Sequence, residues 1–105
     1  MDKVLILTVI DPTERGDDCY LGGSAYKSVD SMLEALGRGW EGECHFDLMT
    51  AEDDDERNDI RESYAARLPA LRAWVEENDV RNDKGGAWFC PNEELIFEFL
   101  WTEVR

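Results

Sequence analysis

The first apolar run of the chain predicts a β-strand. Residues 3–10, KVLILTVI, are rich in β-branched and aliphatic side chains, and an Asp-Pro pair follows directly. Such runs favour strands, and proline ends them because it has no backbone donor. Apolar residues fall on both sides of the alternation, which is typical of an interior strand covered on at least part of each face. The polar, glycine-containing residues 11–24 are predicted to form a loop.

The next two segments predict a short helix and a short strand. Ser28 is a good N-cap residue, and apolar side chains recur at helical spacing as far as Leu36. Gly37 suits the left-handed conformation that ends many helices, so we predict a helix from about Ser28 to Leu36. Residues 43–49, ECHFDLM, alternate between apolar and polar side chains and predict a half-buried strand.

The longest predicted element is a helix from about Asp53 to Asn78. Acidic residues crowd its first turn, where they interact favourably with the helix dipole. Pro69 removes one backbone hydrogen bond and disfavours helical geometry at the residue before it, so we expect a kink or a break into two helices there. The apolar side chains at helical spacing are Ile60, Tyr64, Leu68, Leu71 and Val75.

The C-terminal segment is predicted to be a β-hairpin that follows a loop at residues 81–86. Ala87–Cys90 and Leu95–Thr102 are its strands, and Pro91-Asn92 can occupy the centre of a type I turn. A helix capped by Asn92 is the alternative for this segment.

The predicted order of elements is therefore β-α-β-α-β-β. This order indicates a small α+β fold in which a mostly antiparallel sheet packs against helices. The 105 residues are expected to form a single acidic domain. With 43% apolar residues, such a domain can bury a core without a metal ion or a disulfide.

Charge changes this picture of an ordinary domain. The chain has 25 Asp and Glu against 11 Lys and Arg, a net charge of −14. Such an excess opposes binding to nucleic acid and to anionic membranes, and it favours fast encounter with a basic surface. Solubility or a salt-rich environment is the simpler explanation of the same acidity.

The cysteines and the apolar runs predict a cytoplasmic location. The three cysteines have no short spacing, which suits a reducing compartment better than a disulfide framework. The apolar run near the N-terminus has no small-residue cleavage site after it. No apolar run approaches the roughly 20 residues of a membrane helix. For a phage-encoded protein the location would be the host cytoplasm.

Candidates for catalysis are few. His45 is the single histidine, and it follows Cys44 in a predicted strand, where neighbouring side chains point to opposite faces. A nucleophilic pair needs convergent side chains, so only Cys19 or Cys90 could serve as a distant partner of His45. We therefore expect no enzyme activity, with a small enzyme or ligand-binding domain that uses these cysteines and His45 as the alternative.

Metal and phosphate sites also lack a specific motif. Zinc would have to use three scattered cysteines and one histidine without any closely spaced pair. A calcium loop that starts at Asp53 would need glycine and glutamate where the chain has Asn58 and Tyr64. The glycine pairs lack the residues of a phosphate-binding loop. No metal ion and no cofactor is expected.

The acidic residues concentrate in one part of the chain. Residues 41–62 hold ten of them against Arg57 and Arg61, a net −8. Trp40, between glycines in a predicted loop, is a candidate exposed anchor for a partner. The other candidate partner-binding residues, here called the acidic ridge, are Glu52, Asp53, Asp54, Asp55, Glu56, Asp59 and Glu62.

These features predict a non-enzymatic binding protein. Duplex DNA carries about one charge per 1.7 Å, so the net charge of −14 corresponds to roughly 24 Å of duplex. A folded protein with that charge can compete for the basic groove of a nucleic-acid-binding enzyme or complex. In size and charge the chain is similar to phage anti-CRISPR and anti-restriction proteins that act as DNA mimics. An immunity protein or antitoxin that neutralises a basic nuclease toxin is an alternative. Direct binding to nucleic acid or to membranes is not expected.

Overall fold

Strand β1 (Lys3–Ile10) forms where the sequence predicts it and becomes one of the two central strands of a sheet. The computed structural model describes residues 2–91 and 93–104. Its four strands lie in the order β2-β1-β4-β3, and every neighbouring pair is antiparallel. The other strands are β2 (Tyr20–Tyr26), β3 (Gly86–Cys90) and β4 (Leu95–Glu103).

Three helices separate the two hairpins of the sheet. They are α1 (Val29–Thr50), α2 (Asp54–Ala65) and α3 (Arg67–Glu77), with short 3₁₀ turns at Gly16–Cys19 and Val80–Asn82. The α+β class and the antiparallel sheet packed against helices are confirmed. The order of elements differs from the prediction, because it is β-β-α-α-α-β-β.

Three predictions in the first half of the chain were wrong: the loop as far as residue 24, the helix end at Leu36 and the strand at residues 43–49. Tyr20–Tyr26, within and beyond the predicted loop, is an edge strand that pairs with β1. Its side chains are exposed along almost the whole length of the strand. The sequence therefore lacks the alternation of apolar and polar residues that would predict a strand. The predicted strand at residues 43–49 is the C-terminal part of α1, which continues through Gly37 to Thr50.

The continuation of α1 has a packing reason at Gly37. A Cβ atom there would lie 3.3 Å from Cδ2 of Leu68 on α3, so the missing side chain allows the two helices to approach closely. The apparent strand alternation arose because Phe46 is apolar yet 66% exposed. Cys44 and Leu48, four residues apart, share one half-buried side of the helix instead.

The predicted break in the long helix is confirmed. The two helices meet at Ala66, three residues before Pro69. Since proline has no N–H group, the carbonyl of Ala65 has no helical donor, and a helix tolerates proline best in its first turn. Pro69 accordingly lies in the first turn of α3.

The C-terminal hairpin is confirmed within one residue at its ends. The segment after the turn is strand β4, so the alternative of a helix is wrong. The predicted turn centre includes Asn92, which lies outside the described residues.

The core lies between one face of the sheet and helices α1 and α3. Trp74 of α3 packs on Phe99 at 5.1 Å between ring centroids, and Trp40 of α1 packs on Trp88 and Phe97 at 6.1 Å. Helices α1 and α3 pack on this face of the sheet, and α2 packs on these two helices. The residues buried at 3% exposure or less are Leu5, Leu7, Val29, Met32, Arg67, Leu71, Val75, Val80, Phe97 and Phe99.

Candidate protein-binding surface

A helical hairpin carries most of the negative charge. It consists of the end of α1 and most of α2, residues 41–62, and is called the acidic arm below. None of the twelve residues of α2 is buried, and α1 has no buried residue after Trp40. The molecule is correspondingly elongated, with extents of 52 × 30 × 22 Å. The net −8 of the acidic arm thus belongs to one structural unit.

The start of α2 is stabilised by two members of the acidic ridge. The Asp53 carboxylate accepts a hydrogen bond from the backbone N–H of Glu56 at 2.7 Å, and the Glu56 carboxylate accepts one from the N–H of Glu52 at 2.8 Å. This reciprocal pattern satisfies donors that a helix start leaves free. These two carboxylates therefore have a structural role at the start of α2.

The side chains of the acidic ridge face solvent, and few of their charges are neutralised by ion pairs among the described residues. All seven side chains of the acidic ridge are exposed. Within the described chain, only Asp54 among them forms an ion pair, at 2.9 Å from Arg57. Arg61 donates to the amide oxygen of Asn58 at 3.3 Å rather than to a carboxylate. The three that project from one side of α2 without any partner among the described residues are Asp55, Asp59 and Glu62.

Arg67 does not neutralise the ridge because it is buried at the base of the acidic arm. Its side chain is 4% exposed, and its Nη1 atom lies 2.5 Å from Oε1 of Glu93 and 4.0 Å from Oε2 of Glu43. Its guanidinium carbon lies 3.9 Å from the ring centre of Tyr64. The Nε atom has no hydrogen-bond partner within the described chain. Sequence patterns place Arg67 on a helix but cannot show its burial.

Two groups near Arg67, the Glu43 carboxyl and the Tyr64 phenol, have shifted pKa values. Burial, and then the neighbouring Glu93 carboxylate, raise the pKa of Glu43. Burial also raises the pKa of Tyr64 to about 12, helped by its hydrogen bond to Asp47 at 2.6 Å. The Tyr64 hydroxyl therefore remains a donor to Asp47 at neutral pH and joins α2 to α1.

Two of the cysteines, Cys44 and Cys90, are poorly placed for nucleophilic catalysis. Cys44 and His45 are consecutive on α1, where side chains diverge by about 100°. Cys90 is buried 3.4 Å from Glu93, and burial, followed by the charge of Glu93, raises its pKa to about 12. A thiol with so high a pKa is a poor nucleophile. No group of three or more potential metal ligands occurs within the described residues.

A shallow groove of about 900 Å³ runs between α1 and the α2–α3 pair. Leu48, Leu68 and Pro69 provide apolar walls, and His45 and Arg61 also line it. The groove therefore combines the single histidine with an apolar surface, and Cys44 lines it beside His45.

The prediction that Trp40 is an exposed loop residue was wrong. It lies on α1 rather than in a loop, and it is 6% exposed because Trp88 and Phe97 cover it. The exposed apolar residues next to the ridge are Phe46 and Met49, at 66% and 72%. They are three residues apart on α1, so only a helical interpretation of residues 43–49 would have placed them together.

Comparison with family models, curated proteins and solved structures found no match for this chain. Among the described helices, none combines the length and apolar character that a membrane crossing requires.

Proposed function

We propose that this protein is a non-enzymatic inhibitor or adaptor that docks its acidic arm onto a basic surface of a nucleic-acid-handling protein. The observation that supports this most directly is the solvent exposure of the whole acidic ridge with only one internal ion pair among the described residues. Carboxylates in a row repel one another and reduce stability. Beyond the first turn of α2, Asp59 and Glu62 gain no helix-dipole benefit that would offset this repulsion.

The spacing of the charges suits imitation of a nucleic-acid backbone. Five carboxylates lie between Asp54 and Glu62, a stretch of about 12 Å at the usual helix rise. That is one per roughly 2.4 Å, between the 3.4 Å of one DNA strand and the 1.7 Å of both. Arg57 and Arg61 lower the net value, and Arg57 does so by pairing with Asp54.

Phe46 and Met49 would supply the apolar part of the interface. Long-range attraction brings a basic partner to the acidic arm quickly, but buried apolar contacts usually hold it there. Two exposed apolar side chains within two turns of Glu52 provide such contacts.

An inhibitor of this kind would act as phage anti-CRISPR and anti-restriction proteins do, on a basic nucleic-acid enzyme in the cytoplasm of the host. An immunity protein or antitoxin directed against a basic nuclease would use the same surface. A cysteine enzyme is the less favoured function, because the pKa of Cys90 is raised and Cys44 diverges from His45.

The test is capture of proteins from a bacterial lysate at low salt, with the tagged full-length chain as bait. We expect basic nucleic-acid-binding proteins to be retained and then released both by salt and by added duplex DNA. Salt ions and duplex DNA each compete with the acidic arm for the basic side chains of the captured protein. The variant Asp55→Lys/Asp59→Lys/Glu62→Lys should lose this capture. Phe46→Ala should weaken it.

The matched control reverses three exposed acidic residues outside the acidic arm, Glu14→Lys/Asp18→Lys/Glu77→Lys. Both triple variants change the net charge by the same amount, so a difference between them reports position rather than total charge. Equal loss in both variants, or capture that salt and duplex DNA do not reverse, would contradict the proposal. Far-UV circular dichroism checks that each variant is folded.

A further inference from the structure

The sheet has a second, very different surface on the side away from the helices. Alternate residues of all four strands point there, and most are apolar. Phe89, Leu100 and Tyr20 are 68%, 63% and 60% exposed. The apolar residues of this surface, called the outer sheet face, are Val4, Ile6, Ile10, Tyr20, Phe89, Ile96 and Leu100.

The register of the strands joins these residues into continuous rows. Phe89 pairs with Ile96, Ile96 with Ile10, and Ile10 with Tyr20, so one apolar row crosses the whole sheet. Leu100 pairs with Ile6 in a second row. Apolar rows of this kind on an uncovered sheet are typical of an interface, because monomers rarely leave such patches in water.

Charge decides which partner fits. Glu98 is the one charged residue among the described, outward-pointing positions of the central strands, in a chain of net charge −14. A basic partner attracted by the acidic arm would find no carboxylate row on the outer sheet face. A second copy of the chain presents the same apolar surface with a single carboxylate, and is therefore complementary to its apolar rows.

The geometry of stacked sheets also keeps the charged layers apart. Two packed sheets lie about 10 Å from each other, with their helices on the far sides. The two acidic arms would then be separated by more than the Debye length of about 8 Å at physiological salt, so their repulsion is largely screened.

The area of the face falls in the range of weak interfaces. Strands about 4.8 Å apart that rise about 3.3 Å per residue make this four-stranded face roughly 19 by 24 Å, about 450 Å² before side-chain relief is counted. Weak specific interfaces cover up to about 600 Å² per partner and stable ones about 800 Å². We propose that the protein forms a weak dimer by packing the outer sheet faces of two copies against each other.

Sedimentation equilibrium of the full-length chain, from micromolar to near-millimolar concentration, tests the dimer. We expect the mass to rise from 12.1 kDa toward twice that value. High salt should strengthen the dimer, because it screens the repulsion between two negative chains. Leu100→Lys and Phe89→Lys should each weaken it at least about tenfold by placing a charge in the apolar contact.

Phe46→Lys is the matched control, since Phe46 is exposed to nearly the same extent as Leu100 but lies on α1. It should leave the dimerisation constant unchanged. Glu98→Thr provides a change in the opposite direction and should strengthen the dimer about tenfold, because it removes the carboxylate that the contact would desolvate.

Several results would overturn the dimer. They are a mass of one chain at every concentration, a dimer that Leu100→Lys does not weaken, and equal weakening by Phe46→Lys. Binding of the monomer to phosphatidylcholine vesicles that Leu100→Lys abolishes would assign the face to a lipid surface instead. The dimer stands independently of the acidic arm, because the triple lysine variant of α2 should keep it.

Discussion

At the scale of single residues, Glu43 shows how burial and charge oppose each other beside Arg67. Its carboxylate lies 4.0 Å from the guanidinium, but burial and the nearby Glu93 raise its pKa above the ordinary value of 4.5. A raised pKa means that the folded state holds the proton more tightly than the unfolded state. The Glu43 contribution to stability is thus greatest below pH 4.5 and declines as pH rises through the pKa of the folded state.

The variant Glu43→Gln should therefore raise the free energy of unfolding at pH 7 and change it less at pH 4. Urea unfolding followed by circular dichroism at the two pH values measures this difference. Glu41→Gln, an exposed neighbour on the same helix, is the control for removal of one negative charge. A clear loss of stability at pH 7 in Glu43→Gln would show that the contact with Arg67 outweighs the burial of the carboxylate.

At the same scale, exposure was easier to predict than burial. The seven carboxylates of the acidic ridge are in solvent, as expected for charged side chains in the first turns of a helix. Trp40 and Arg67 were not predictable in this way. Both are amphipathic, and the sheet residues that cover Trp40 and the hairpin residue Glu93 that pairs with Arg67 are distant in sequence.

At the scale of elements, α1 is the helix whose sequence contradicts its structure most. It contains Gly37, Gly39 and Gly42, each of which costs helix propensity relative to alanine. Only Gly37 has a close neighbour on another element within 4 Å of its missing Cβ atom, the side chain of Leu68. The glycine at position 37 thus has a packing reason, whereas the space around Gly39 and Gly42 is open.

Gly39→Ala should raise the free energy of unfolding by about 0.8 kcal/mol through helix propensity alone. Gly37→Ala brings the same gain, but the new Cβ would lie 3.3 Å from Leu68 and force that side chain to move, so its net effect should be smaller. Midpoints of urea unfolding compare the two variants. A larger gain from Gly37→Ala than from Gly39→Ala would show that the helices relax without cost.

The local sequence correctly specified the start of α1, through its capping residue, and the break between α2 and α3, through Pro69. The Ser28 side chain accepts a hydrogen bond from the N–H of Ser31, which confirms the predicted start of α1. Pro69 separates α2 from α3 for the covalent reason that it has no N–H donor. The end of α1 was wrong, because Gly37 has two uses, helix termination and close packing, and the local sequence does not distinguish them.

At the scale of the whole molecule, Arg67 connects three parts of the fold. It belongs to α3, its ion-pair partner Glu93 lies next to β4, and Glu43 lies on α1. Buried ion pairs contribute little net stability compared with apolar packing, but the loss of one partner leaves an uncompensated charge. This arrangement fixes the base of the acidic arm against the sheet.

Arg67→Met should lower the free energy of unfolding by about 3 kcal/mol, because it removes the ion-pair partner of Glu93, whose side chain is only 19% exposed. The double variant Arg67→Met/Glu93→Gln should recover part of that loss. Urea unfolding of the four proteins of the cycle measures the coupling. Additive losses in the double variant would show that the two side chains do not stabilise each other.

The sequence by itself determined strand β1, the start of α1, the division between α2 and α3, the C-terminal hairpin and the exposure of the acidic ridge. Each depends on neighbouring residues alone: β-branched runs, a capping hydroxyl, a proline without a donor, and charges that require water. Only the tertiary structure decided that the glycine-containing segment Tyr20–Tyr26 pairs with the edge of β1, that α1 continues past Gly37, and that the helices cover one face of the sheet. These outcomes depend on contacts between residues far apart in sequence, whose packing energy outweighs the weak local preferences of the chain.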